Sequence, residues 1–140
     1  MATRGYYTYV NAVDKEMVRL YVHWDNYPDG AYAKIHEWFG DEDDISMEDL
    51  SATSFRDYFI KEFKAYVATD IDGTVDEKES NIGVDYHYYI ATAETPSGCL
   101  NTVVNVYREE GGYDGKPDIQ IPLPDKDFSK IHPVKEVVNA

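Results

Sequence analysis

A chain of 140 residues carries one domain's worth of polypeptide, and a domain of this size buries roughly two thirds of its unfolded surface without a disulfide or metal to brace it. With 43% hydrophobic and 14% aromatic residues it is too rich in core material to stay disordered, despite a net charge of −14 from 27 Asp/Glu against 13 Lys/Arg. That acidic balance excludes capture of DNA or RNA by a basic face, which needs clustered Lys/Arg.

The first elements alternate apolar and polar residues. Tyr6–Asn11 and Met17–Trp24 flank the polar stretch Ala12–Glu16 and predict a β-hairpin. A period of two puts Val18, Leu20, Val22 and Trp24 on the core face of the second strand and Arg19, Tyr21 and His23 on the other. Asp25–Gly30 breaks the strand with turn formers. The spacing of Tyr32, Ile35 and Phe39 then predicts a helix over Ala31–Phe39, with Gly40 at its C′ position. A second helix follows, with Ser54 as N-cap, a stripe of Phe55, Phe59, Phe63 and Val67 at i+4, and Asp57 preceding Lys61 in the favourable ion-pair order.

After a charged loop over Asp70–Gly83, Val84–Thr92 and Cys99–Arg108 predict a second hairpin, with Ile119–Leu123 as a further strand. Pro122 and Pro124 suit a sheet edge, because proline cannot donate to the ladder. The stretch holding Phe128, Ile131, Val134 and Val137 fits a last helical turn or an extended tail. The expected fold is a single α+β domain in the order ββααβββ: an antiparallel sheet of two hairpins plus an edge strand, covered on one face by two helices.

The lone Cys99 closes no intramolecular disulfide, and Met1–Tyr6 holds no apolar core of signal-peptide length. No run approaches the ~20 apolar residues that span a bilayer. A reducing cytoplasm is the expected compartment, with no membrane association and no cofactor.

The sharpest local string runs from Tyr21 through His23, Trp24, Asp25, Asn26, Tyr27 and Pro28 to Gly30. It resembles the Tyr-x-His-x-Asp-Gly-Tyr-Pro-x-Gly signature of small phage and mobile-element proteins, with Asn26 in place of the usual glycine and able to supply the same left-handed backbone. The resemblance implies an accessory gene of a phage or plasmid and transfers no catalytic residue. Read chemically, His23 and Asp25 at i and i+2 share a face, which suits a histidine oriented by a carboxylate or two metal ligands, or a turn fixed by hydrogen bonds. His36, His87 and His132 add no metal-ligand spacing.

Asp70-Ile71-Asp72-Gly73-Thr74-Val75 looks like the nucleophile loop of haloacid-dehalogenase-type phosphatases. That family places the loop after the first parallel strand of a doubly wound sheet, whereas here it follows an amphipathic helix. A calcium loop is excluded because Gly73 stands at the fourth loop position rather than the sixth.

Charge is the most informative feature. Asp41, Glu42, Asp43, Asp44, Glu48 and Asp49 give −6 within nine residues, and Asp70, Asp72, Asp76, Glu77, Glu79 and Asp85 less Lys78 give −5 within sixteen. They bracket the second helix and predict one negative surface that substitutes carboxylates for phosphates against a basic, nucleic-acid-binding surface of a host protein, with no direct nucleic-acid contact. The expected function is thus a non-enzymatic counter-defence role of the anti-CRISPR or anti-restriction type. The alternative is a binder of a nucleotide-like small molecule, or a metal-dependent hydrolase, on a polar sheet face formed by Arg19, Tyr21, His23, Asp25, His87 and Tyr89. Thirteen tyrosines also suit a contact surface, a homodimer interface or plain strand propensity.

Overall fold

A computed structural model describes residues 3–39, 50–80, 82–94, 96–98, 100–108 and 119–123. Strands β1 (Gly5–Asn11) and β2 (Glu16–Val22) form the first hairpin, with Gly5 opposite Val22 and Asn11 opposite Glu16. Short polar side chains close its turn: Asn11 Oδ1 accepts from the Val13 amide at 3.0 Å and Asp14 Oδ1 from the Glu16 amide at 3.0 Å. Because β2 stops at Val22, Trp24 falls outside the alternation and is exposed rather than in the core.

Helix α1 (Pro28–Phe39) starts three residues before the predicted Ala31, since proline suits the first helical turn, where its missing N–H costs nothing. Helix α2 (Ala52–Phe63) is capped by Ser51, whose hydroxyl accepts from the Ser54 amide at 3.1 Å. Ser54 therefore lies inside the helix rather than at its cap, and its hydroxyl accepts from Trp38 Nε1 at 3.2 Å. Asp57 pairs with its neighbour Arg56 at 2.9 Å instead of with Lys61.

The Phe55–Phe59–Phe63 stripe ends where Lys64 turns left-handed at φ 54° and the Ala65 amide returns to the Phe59 carbonyl at 3.2 Å. Val67 belongs instead to a strand absent from the predicted order, β3 (Tyr66–Thr69), where it sits opposite Leu20. A four-residue strand is too short to display its own period, and Val67 happens to continue the i+4 spacing of the helix before it. A short helix α3 (Glu77–Ser80) precedes β4 (Tyr86–Glu94), β5 (Leu100–Arg108) and the edge strand β6 (Ile119–Leu123). The described order is ββααβαβββ.

The sheet runs β3-β2-β1-β4-β5-β6. It is mixed, not antiparallel: β1 and β4 pair in parallel, with Thr8 opposite Tyr89, while every other neighbour is antiparallel. The two hairpins join side by side through their first strands, and that junction links residues some eighty positions apart, beyond the range of local pattern.

Helices α1 and α2 cover one face. Tyr7, Tyr9, Val18, Leu20, Val22, Tyr88, Ile90, Val104 and Val106 meet Tyr32, Ile35, Trp38, Phe55 and Phe59 there. Rings dominate this core: Tyr9 stacks on Phe55 at 5.1 Å, Phe55 on Phe59 at 4.3 Å and Tyr7 on Tyr88 at 5.1 Å. Buried hydroxyls need partners, and those of Tyr7, Tyr9 and Tyr88 have them. Tyr9 donates to the Leu50 carbonyl and stands 2.8 Å from Thr92 Oγ1, Tyr7 donates to Asn26 Oδ1, and Tyr88 to the Asn26 carbonyl. Six of the twelve tyrosines among the described residues are buried, so much of the tyrosine excess is core material.

The second face is not left open. Tyr6, Tyr21, Ala68 and Val84 form a smaller core under Ile82, and Val84, which precedes the first ladder residue of β4, lies on the opposite face from Tyr86. A strap of residues 76–80 and 82–84 is held there by the Tyr6 hydroxyl, which meets the carbonyls of Glu79 at 2.6 Å and Ile82 at 3.0 Å and accepts from the Ile82 amide at 3.1 Å. Ser80 Oγ adds a bond to the Ala68 carbonyl at 2.9 Å. Among the described residues no helix is long and apolar enough to cross a membrane. The positions of Gly40, Cys99 and the stretch from Phe128 to Val137 lie outside the described residues.

Candidate functional site

The string from Tyr21 to Gly30 builds the junction between β2 and α1. Asp25, not Asn26, adopts the left-handed backbone at φ 59°. Asn26 is instead a buried hub: its amide nitrogen donates to the Thr3 and Val22 carbonyls, both at 2.7 Å, and its oxygen accepts from Tyr7 at 2.6 Å. His23 and Asp25 do not share a face. With the strand ended at Val22, Asp25 turns toward α1, where Lys34 Nζ donates to its carbonyl and stands 3.8 Å from its carboxylate. His23 stays on the second sheet face, its Nδ1 2.7 Å from the Tyr21 hydroxyl.

Of the acidic residues, Asp41, Glu42, Asp43, Asp44, Glu48 and Asp49 lie outside the described residues. Asp70, Asp72 and Asp76 hold local structure. Asp70 accepts from Arg56 at 2.9 Å and from the Ile71 amide at 2.8 Å, and Asp72 from the Thr74 amide at 2.9 Å. Those Thr74 bonds hold the exposed Asp72 carboxyl below the usual carboxylate range. Asp76 caps α3 by accepting from the Lys78 and Glu79 amides. The phosphatase-like string is thus a tight turn after an antiparallel edge strand, with Gly73 at φ 88° and an isolated bridge between Thr69 and Val75. Glu77 stays exposed on α3.

The residues of the polar sheet face divide into two groups on either side of the strap. In the first, Thr8 lies between Arg19 and His87: Arg19 Nε donates to Thr8 Oγ1 at 2.9 Å, His87 Nε2 is 2.9 Å from the same oxygen, and Arg19 Nη2 reaches the Tyr89 hydroxyl at 3.4 Å. The arrangement in which the Thr8 hydroxyl accepts from Arg19 and donates a hydrogen bond to His87 Nε2 satisfies all three groups. Burial, helped by the Arg19 charge, pulls the His87 pKa down to about 3, so this imidazole is neutral. A hydroxyl beside a neutral imidazole has the chemistry of a nucleophile and base, but Thr8 is 1% exposed and no substrate reaches it. Around this group an open cleft of about 310 Å³ is lined by Arg19, His87, Tyr89, Tyr6, Ile82 and Val84.

The second group faces a larger groove of about 620 Å³ between the end of β2, the turn from α2 into β3, and the strap. Tyr21 and His23 form its floor, Phe63 and Ile82 its apolar walls, and Trp24 and Tyr66 its rim, 63% and 55% exposed. His23 and Trp24 meet edge to face at 4.7 Å. Arg4, Lys64 and Lys78 converge on the same space with one carboxylate, Glu79.

Each cation arrives by a different route. Arg4 is fixed through its backbone to Asp85, whose carboxylate and amide take the Arg4 amide and carbonyl at 3.0 and 2.9 Å. Lys64 is the left-handed cap of α2, and Lys78 stands on α3. Among the described residues none of the three holds an ion pair, whereas Lys34 and Arg56 do. Three uncommitted cations beside exposed rings can receive a phosphate and stack a flat heterocycle. Among the described residues no three His, Cys, Asp or Glu side chains gather to hold a metal ion.

Reasoning from the sequence named Tyr21 and His23 of this groove but missed Arg4, Trp24, Lys64, Tyr66 and Lys78. Five separate stretches supply them, the approach to β1, the exit from β2, the cap of α2, β3 and α3, and the available signal was the break in helical spacing at Lys64. No family model matches the chain, and no curated protein or solved structure matches it either.

Proposed function

We propose that this protein binds a small phosphate-bearing aromatic ligand, a nucleotide or a close relative, in the groove between Trp24, Lys64 and Lys78. The observation that carries this reading is the convergence of Arg4, Lys64 and Lys78, free of ion pairs among the described residues, beside the exposed rings of Trp24 and Tyr66, in a chain of net charge −14. In so acidic a molecule unpaired cations have carboxylates to spare for partners, and three that avoid them around one cavity suit an incoming anion. For an accessory protein of a phage or plasmid, as the motif resemblance implies, sequestering such a ligand would withdraw it from the host.

The test uses tryptophan emission with a panel of nucleotides. Trp38 is buried under α2 and Trp24 is exposed, so a ligand in the groove quenches the red-shifted Trp24 component and leaves Trp38 emission unchanged. Quenching should weaken about tenfold in Lys64→Ala and fall steeply with salt. No quenching and no thermal shift across the panel would retire the reading.

A second reading, acidic mimicry toward a host nucleic-acid-binding protein, is favoured by the 11 negative charges that Asp41–Asp49 and Asp70–Asp85 contribute to the total of −14. Its test is capture of the partner from a bacterial lysate at low salt and release as salt is raised, and retention at high ionic strength would count against it.

A further inference from the structure

We infer that the ligand carries two flat rings joined through phosphate, a dinucleotide, with one nucleoside in the groove beside Trp24 and the second in the cleft beside Tyr89. This rests on the nucleotide reading above and names the ligand more closely. The two spaces lie on one sheet face and share a wall, Ile82 of the strap. One row of residues runs beneath both spaces and under the strap between them, because Tyr66, Tyr21, Tyr6 and His87 occupy directly opposed positions on β3, β2, β1 and β4. Three inter-strand steps separate the ends of that row, roughly 14 Å, more than one nucleobase covers.

The two spaces differ in chemistry in the way such a ligand requires. The groove has three uncommitted cations and takes phosphate. The cleft has one cation, Arg19, already bonded to Thr8 and Tyr89, beside an imidazole held neutral by burial. Arg19 keeps its charge there with part of its fork taken by those two hydroxyls, and the half-buried Tyr89, stacked on the buried His87 at 4.1 Å, presents ring surface to a base.

Calorimetric titration of the full chain with AMP, the 3′–5′ dinucleotide ApA and diadenosine diphosphate tests this. At least one two-base ligand should bind about tenfold more tightly than AMP, the gain of one additional stacked base. Tyr89→Ala should remove that gain and leave AMP affinity unchanged, while Tyr89→Phe retains it. Equal affinity for all three compounds, or a Tyr89→Ala loss shared equally by AMP, would overturn the two-ring ligand and leave the groove intact. Absence of binding by any of the three would overturn both.

Discussion

Tyr7 and Asn26 meet 2.6 Å apart beneath α1, the hydroxyl donating to the amide oxygen, and this contact ties the central strand to the turn that launches the helix. Asn26→Ala would leave the Tyr7 hydroxyl and the carbonyls of Thr3 and Val22 without that partner in a buried space. The expected loss is about 3 kcal/mol or more. Urea unfolding followed by far-ultraviolet dichroism reads it as a lower midpoint at unchanged slope.

Gly30 stands against Asp25, where an added Cβ would come within 2.7 Å of the Asp25 carbonyl oxygen. Backbone cannot swing aside there as a side chain can. Gly30→Ala should therefore cost about 1–3 kcal/mol, whereas Gly83→Ala, with no atom within 4 Å of its new methyl group, should leave the thermal midpoint nearly unchanged.

Removing the Tyr6 hydroxyl cuts the strap's hold without emptying the core beneath it. In Tyr6→Phe the amide exchange of Ile82 should accelerate at least tenfold, because its 3.1 Å acceptor is gone, while β1 and β4 amides keep their protection. Equal acceleration throughout the sheet would mean that the hydroxyl supports the whole fold rather than the strap.

His87 supplies a pH dependence with a definite sign. Its folded pKa, about 3, lies below the ordinary value of 6.5, so between these limits the unfolded chain binds the proton and the folded chain does not. Stability is full above pH 6.5 and falls as pH drops toward 3, by about 1.4 kcal/mol per pH unit at most. Carboxylates complicate the lower part of that range, so the informative window is pH 6.5 to 5. Chemical denaturation there should show a slope that His87→Gln flattens.

Much of the architecture was legible because it is local. Alternation in Glu16–Val22 and the i+4 spacing of Phe55, Phe59 and Phe63 placed a strand and a helix with their buried sides correctly turned. The parallel junction of β1 and β4 was not, since no short-range pattern encodes which strand joins which at long separation. At the site, period two grouped Arg19, Tyr21 and His23 on one side of their strand and His87 with Tyr89 on one side of theirs, the parallel junction put both groups on the same face, and Asp25 escaped it because a strand's alternation ends with its last ladder residue. The cations of the groove were invisible for another reason: Arg4, Lys64 and Lys78 are isolated in the chain and meet only when α2, α3 and the approach to β1 are brought together.

The placement of β1 between β2 and β4 has a bearing on how the molecule comes into being. During synthesis the first hairpin and both long helices emerge while the neighbour on the far side of β1 is still unmade, leaving Thr8 without Tyr89 and Tyr7 without Tyr88. High contact order of this kind slows folding and exposes the unpaired edge meanwhile. A nascent chain stalled before Tyr86 should accordingly be protease-sensitive throughout, and acquire protection in one late, cooperative step.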